Sequence, residues 1–178
     1  AMPFREGLPL IGRVKEVSQF RLALADCNRS GLGQFVYVRG EAGIGKTRLL
    51  KEFENIARQA GFGCHRALVL DFGAGHGQDA ARALIRSLIG INVDAGINER
   101  AAAAENIATS GVLDSDNIVH LYSTLGLPQP DDSLAIYDAM SADTRVAGQR
   151  DVFCRIIEDT AAQKPLLLLV EDIHWANR

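Results

Sequence analysis

Apolar positions recur along this chain at two spacings, one suited to helices and one to strands, and the two kinds of segment alternate. Val14, Val17, Phe20 or Arg21, and Leu24 mark a first helix that begins near Arg13 and meets a polar stop over residues 28–33. Phe35-Val36-Tyr37-Val38 is a β-branched and aromatic run that predicts a buried strand. Leu49, Leu50, Phe53, Ile56 and Ala57 then recur at helical spacing, and Ala60-Gly61 supplies a stop. A second strand is predicted over 64–71, followed by a glycine-rich turn at 72–77 and a helix from Gln78 or Asp79 to Ile89. Helices are predicted over 98–110 and from Asp114 to Gly126, and Pro128, Pro130 and the two acids after them predict a loop. A last helix over 150–163 places Val152, Phe153, Ile156 and Ile157 on one face. It leads into Leu166-Leu167-Leu168-Leu169-Val170, a continuous apolar run that predicts a central strand covered on both faces. Alternating helices and strands of this kind predict an α/β fold, with a helical insert at about 90–145 and no internal repeat or interdomain linker.

Between the first predicted strand and its helix stands Gly40-Glu41-Ala42-Gly43-Ile44-Gly45-Lys46-Thr47, which fits G-x-x-x-x-G-K-[ST]. Phosphate binding requires this arrangement. Glycines let the backbone curl around a phosphate chain with N–H groups turned inward, and the following helix adds positive potential at its N-terminus. Lys46 would bring a mobile cation to the β- and γ-phosphates, and the Thr47 hydroxyl could ligate Mg²⁺. A glycine-rich turn that merely precedes Lys-Thr is the bland alternative, and the strand before and helix after weigh against it. At the other end, Glu171 and Asp172 follow the apolar run, where ligands collect at the carboxyl edge of a parallel sheet. Two acids placed there match a Walker B motif. One acid would hold the Mg²⁺ shell and the other would orient or deprotonate an attacking water. Glu171 is assigned to the metal and Asp172 to the water, with the reverse order open because the usual first acid is Asp.

Three segments together resemble one known module. They are Leu10-Ile11-Gly12-Arg13 with Glu16, the run Gly40 to Lys46 continued by Thr47-Arg48-Leu49, and Val170-Glu171-Asp172-Ile173-His174-Trp175-Ala176. In this order they resemble the AAA-related ATPase domain of STAND-type signalling proteins, found in LuxR-type transcriptional regulators and multidomain bacterial adenylate/guanylate cyclases. The stretches 67–73, 77–80 and 127–130 are similar to the cyclase-associated branch in particular. The resemblance implies a P-loop NTPase fold of the ASCE/AAA-like kind, a parallel sheet sandwiched by helices. It also implies ATP/ADP and Mg²⁺ as ligands, Ile11, Gly12 and Arg13 as nucleotide-binding candidates lying against the adenine, and Arg48 as a further one. For residues 10–13, a chain entry packed on the core is the equal alternative.

In such domains the strand order is 5-1-4-3-2, and the fourth strand, the lid, the second sensor and an arginine finger lie beyond the Walker B motif. The sequence in hand ends at Arg178, so the resemblance implies the N-terminal part of one ATPase domain, incomplete at its C-terminus. Attached domains of the parent chain, an output domain and helical repeats, would be its partners. Strand edges left without neighbours would favour self-association. Two functions follow: a Mg²⁺-dependent ATP-hydrolysing switch in the full-length protein, or a nucleotide-sensing or assembly module with negligible turnover; the sequence in hand is expected to bind nucleotide with little or no turnover.

Composition changes this picture little. The chain has 178 residues, 47% hydrophobic and 23% charged, as expected of one globular domain of cytoplasmic type. A net charge of −3 offers no electrostatic case for nucleic acid or an anionic membrane. There is no signal peptide, no apolar run long enough to span a bilayer, and Ala1 before Met2 reads as a cloning remnant. Cys27, Cys64 and Cys154 show no motif spacing and read as reduced core thiols, and the four histidines show no zinc-ligand spacing.

Overall fold

The computed structural model describes residues 12–68 and 76–171. Its elements run α1 (Val14–Ser30), α2 (Lys46–Gln59), β1 (Gly63–Leu68), α3 (His76–Leu88), α4 (Ile97–Ser110), α5 (Ser115–Leu125), α6 (Asp131–Ala139), α7 (Ala142–Gln163) and β2 (Leu166–Glu171). The chain divides into two compact units, residues 1–64 and 65–178, each described by itself.

In the first unit α1 lies on α2. Phe20 and Phe53 stack with ring centroids 4.1 Å apart and planes 6° from parallel. Leu24, Leu49, Ile56, Ala57 and Phe62 are buried with them, so α2 buries the apolar stripe read along it except for Leu50, which is half-buried. Helix α1 ends where Gly31 turns to φ +67° and its N–H donates to Cys27 O at 2.9 Å. That left-handed stop is a glycine position.

The run 35–38 departs from the sequence expectation. It forms no strand among the described residues, and Phe35 is 86% and Tyr37 63% exposed. Side-chain type gives a segment strand propensity, whereas a strand exists only when a neighbour accepts its N–H and C=O groups. The described sheet holds just two parallel strands, β1 beside β2, and 35–38 is not one of them.

β2 is likewise a strand, but not one covered on both faces. Leu169 is buried while Val170 is 38% exposed. An unbroken apolar run permits cover on both faces without supplying it. The pairing of β1 with β2 does match the neighbours that the 5-1-4-3-2 order gives the second strand and the Walker B strand. β1 stops at Leu68 in the described chain, and the predicted remainder at 69–71, like the glycine-rich turn up to residue 75, lies outside the described residues.

The second unit is built around α5, whose Leu121 and Leu125 are fully buried among Ile85, Ala104, Val152 and Ile156 from α3, α4 and α7. Arg100 of α4 donates to Leu125 O at 2.6 Å, placing a cation on the last carbonyls of α5. Two helical stretches here were illegible in sequence. Residues 131–139 are a helix rather than a loop: Pro130 precedes it and Asp131 and Asp132 fill its first turn, but it buries none of its residues, so no apolar period announces it. Helix α7 starts at Ala142, not near 150, capped by Ser141 Oγ accepting from Thr144 N at 3.1 Å. Its first two turns hold no large apolar residue besides exposed Val146, which again removes the periodic signal.

The thiols also differ from expectation. They are not core residues: Cys27 and Cys64 are only half-buried and Cys154 is exposed. Val152 and Ile156 define the inward face of α7, and position 154 falls away from it.

The His120 ring of α5 packs against Gly148 of α7. A Cβ added at Gly148 would lie 2.2 Å from its ring, so only glycine fits there. The ring is 5% exposed and meets Tyr137 edge-on at 6.2 Å. Burial lowers the imidazole below its ordinary value of 6.5, and the nearby Asp151 carboxylate opposes part of that shift. In the unfolded chain His120 therefore takes up its proton at higher pH than in the folded one. Its contribution to stability is complete above the ordinary histidine range and is lost as pH falls through the lowered value. Urea midpoints followed from pH 7.5 down to 5 are expected to decline, and His120→Gln is expected to flatten that decline. An equal slope in the variant would place the effect elsewhere.

Candidate functional site

The loop between residue 39 and α2 is shaped by two left-handed glycines, Gly43 at φ +80° and Gly45 at φ +91°. Nothing lies within 4 Å of a Cβ built at either, so backbone conformation rather than space demands glycine there. At Gly40 the constraint is space: a Cβ would stand 3.0 Å from Ile44 Cγ2. The curl closes with Ile44 N donating to Glu41 O at 3.4 Å, and Gly45 becomes the N-cap of α2. No side chain caps that helix end, and its first turn carries no acid. Its N-terminal positive potential is thus met by no side-chain cap and no first-turn acid among the described residues.

Lys46 folds back over the loop, its Nζ donating to Gly40 O and Glu41 O at 2.9 Å each. Among the described residues no carboxylate pairs with it, so neutral carbonyls alone hold this ammonium. Ala42 and Thr47 are exposed and Arg48 is half-buried.

The start of α1 reaches this loop. Gly12 sits at φ +78°, and Arg13 follows as the N-cap of α1. One arm of its guanidinium donates to Glu16 Oε1 at 2.7 Å and the other to Ile44 O at 3.1 Å. The hydrogen bond from Arg13 is the leading cause that holds the Glu16 carboxyl below its ordinary range. Arg13, Phe20, Tyr37, Ile44, Lys46 and Phe53 line a cavity of about 220 Å³ beside the loop. Ile11 lies outside the described residues.

In the second unit Glu171 ends β2. It is 7% exposed and forms an ion pair with Arg66 of β1. Arg66 was not singled out in the sequence; an arginine inside a strand otherwise read as apolar was the available signal. Asp172 lies outside the described residues, and among those described no group of three or more His, Cys, Asp or Glu side chains could hold a metal ion.

A glycine loop that opens a helix on Gly-Lys-Thr, with the lysine folded over the loop, defines a P-loop protein. The chain belongs to the AAA ATPase domain family, whose model matches residues 9–178. Nucleotide binding and ATPase activity are the general properties of that family, and the paired strands among helices are part of its α/β P-loop fold. No curated protein and no solved structure matches the chain. Among the described residues no helix is long and apolar enough to cross a membrane.

Proposed function

We propose that this chain binds ATP with Mg²⁺ and hydrolyses it as a nucleotide switch inside a larger signalling or regulatory protein, of the STAND type that its motifs resemble. The observation that carries the proposal is Lys46, an ammonium that no described carboxylate pairs with, held over a glycine loop at a helix end without a side-chain cap. The donor set fits a polyphosphate: a lysine ammonium held over the loop, a backbone curled by left-handed glycines, and a helix N-terminus. Lys46 would exchange its two carbonyls for phosphate oxygens. Thr47, exposed in the first turn, would offer its hydroxyl to Mg²⁺ and Glu171 its carboxylate, while Asp172 would orient the attacking water. Bound Mg²⁺ supplies neutralisation of charge on the β- and γ-phosphates.

Calorimetric titration with ATP, with and without Mg²⁺, together with phosphate release, tests this reading. Saturable binding is expected, and a chain that takes up no nucleotide at millimolar ATP would refute it. Thr47→Ala should weaken binding of ATP with Mg²⁺ more than binding of metal-free ATP; equal losses would remove Thr47 from the metal. The two acids should separate in a parallel experiment. Asp172→Asn is expected to retain binding and lose turnover. Glu171→Gln is expected to disturb the Mg²⁺ dependence and also lower the melting temperature, because it removes a buried carboxylate that is ion-paired with Arg66. If Glu171→Gln binds normally and is inert, the roles are reversed.

A further inference from the structure

We propose that Arg13 is a positioning residue for the phosphate loop: by holding the Ile44 carbonyl it aims the N–H of Gly45 into the phosphate cradle. This rests on the nucleotide-binding reading above and gives Arg13 a different task from contact with the base. The Ile44 carbonyl that accepts from Arg13 belongs to the same peptide group as the Gly45 N–H. No peptide bond in the described chain is cis, and in a planar trans peptide C=O and N–H point in opposite directions. Holding the carbonyl toward α1 therefore turns the Gly45 N–H to the other side. Gly45 is where such control is needed. With φ +91° and nothing within 4 Å of its missing Cβ, neither side-chain sterics nor packing fixes the orientation of the adjoining peptide. A single hydrogen bond from outside the loop can select it.

The geometry of Arg13 suits that task. A guanidinium has a rigid fork, so anchoring one arm on Glu16 sets the direction of the other. Glu16 lies one turn along α1, which is itself held to α2 by the Phe20–Phe53 stack. The carbonyl is thereby referred to a packed helix pair rather than to the loop. Gly12, left-handed at φ +78°, lets the chain turn into the N-cap that places Arg13 there.

Titration of the chain with ATP–Mg²⁺ and, separately, with inorganic tripolyphosphate–Mg²⁺ distinguishes a loop-positioning residue from a base contact. Arg13→Ala is expected to weaken both ligands by the same factor, about three- to tenfold, as the loss of one partly exposed charge-assisted hydrogen bond implies. Arg13→Lys should recover part of that loss for both, since an ammonium can still donate to the Ile44 carbonyl without the fork. A loss confined to ATP, with tripolyphosphate unchanged, would assign Arg13 to the base and overturn the proposal while leaving the nucleotide reading intact. Wild type binding both ligands, Lys46→Ala losing both and Arg13→Ala changing neither would also overturn the positioning role alone. Wild type binding neither ligand would bring down the nucleotide reading itself. If Arg13→Ala lacks a cooperative melting transition, Arg13→Lys decides: equal weakening of both ligands supports the role, and weakening of ATP alone overturns it.

Discussion

Replacing Lys46 with alanine is expected to reduce ATP affinity about ten- to a hundredfold, the cost of roughly 1.5–3 kcal/mol for a lost charge-assisted contact to phosphate. The resting state of Lys46 makes the experiment clean. Its ammonium is held by the carbonyls of Gly40 and Glu41 and pairs with no described carboxylate, so its removal strands no buried charge. The left-handed glycines and the Ile44–Glu41 turn bond that curl the loop do not involve its side chain. The melting temperature should therefore stay close to that of the wild type while calorimetry records the loss of affinity. An unchanged dissociation constant would mean that the loop is a turn and not a phosphate site.

The largest effect on stability is expected at Leu121. Its side chain is 0% exposed and is packed in the core where α3, α4 and α7 meet α5. Leu121→Ala should cost about 2–5 kcal/mol through lost burial and the cavity left behind. Set against a total folding free energy of about 5–15 kcal/mol, that is a large fraction. Leu22→Ala provides the contrast: this leucine is also helical but 65% exposed, and its loss should fall within about 0.5 kcal/mol of neutral. Urea denaturation of both variants checks the pair. A small loss at Leu121 would show that the neighbouring helices can collapse into the space.

Where side chains repeat with the period of the element they form, the chain announces its structure. Leu49, Phe53, Ile56 and Ala57 spelled out α2 and its inward face, and Leu121 and Leu125 with Gly126 spelled out α5 and its end. A helix that buries nothing has no such period, and so α6 and the opening turns of α7 were invisible despite their caps. Cys154 was misplaced for a related reason: residue type suggests burial, but its angular position on α7 decides it.

The phosphate loop shows the same division at the scale of a site. Gly40 to Thr47 is a local code, because curling a backbone requires glycine at particular residues and the following helix needs no partner beyond its own chain. The class of ligand is legible in that code, whereas the family is carried by a match over residues 9–178. The contacts around it are not local. Arg13 reaches the Ile44 carbonyl from another helix, and Arg66 meets Glu171 across two strands distant in sequence. Likewise, Phe35 to Val38 carry strand-forming side chains, yet a strand is a relation between two backbones and none of the described strands completes it. Periodicity and turn chemistry act within a few residues, so the sequence by itself determined the helices with a buried face, the loop and its chemistry. Pairing, coverage and the partners of charged groups depend on segments brought together only by folding, and these the tertiary structure decided.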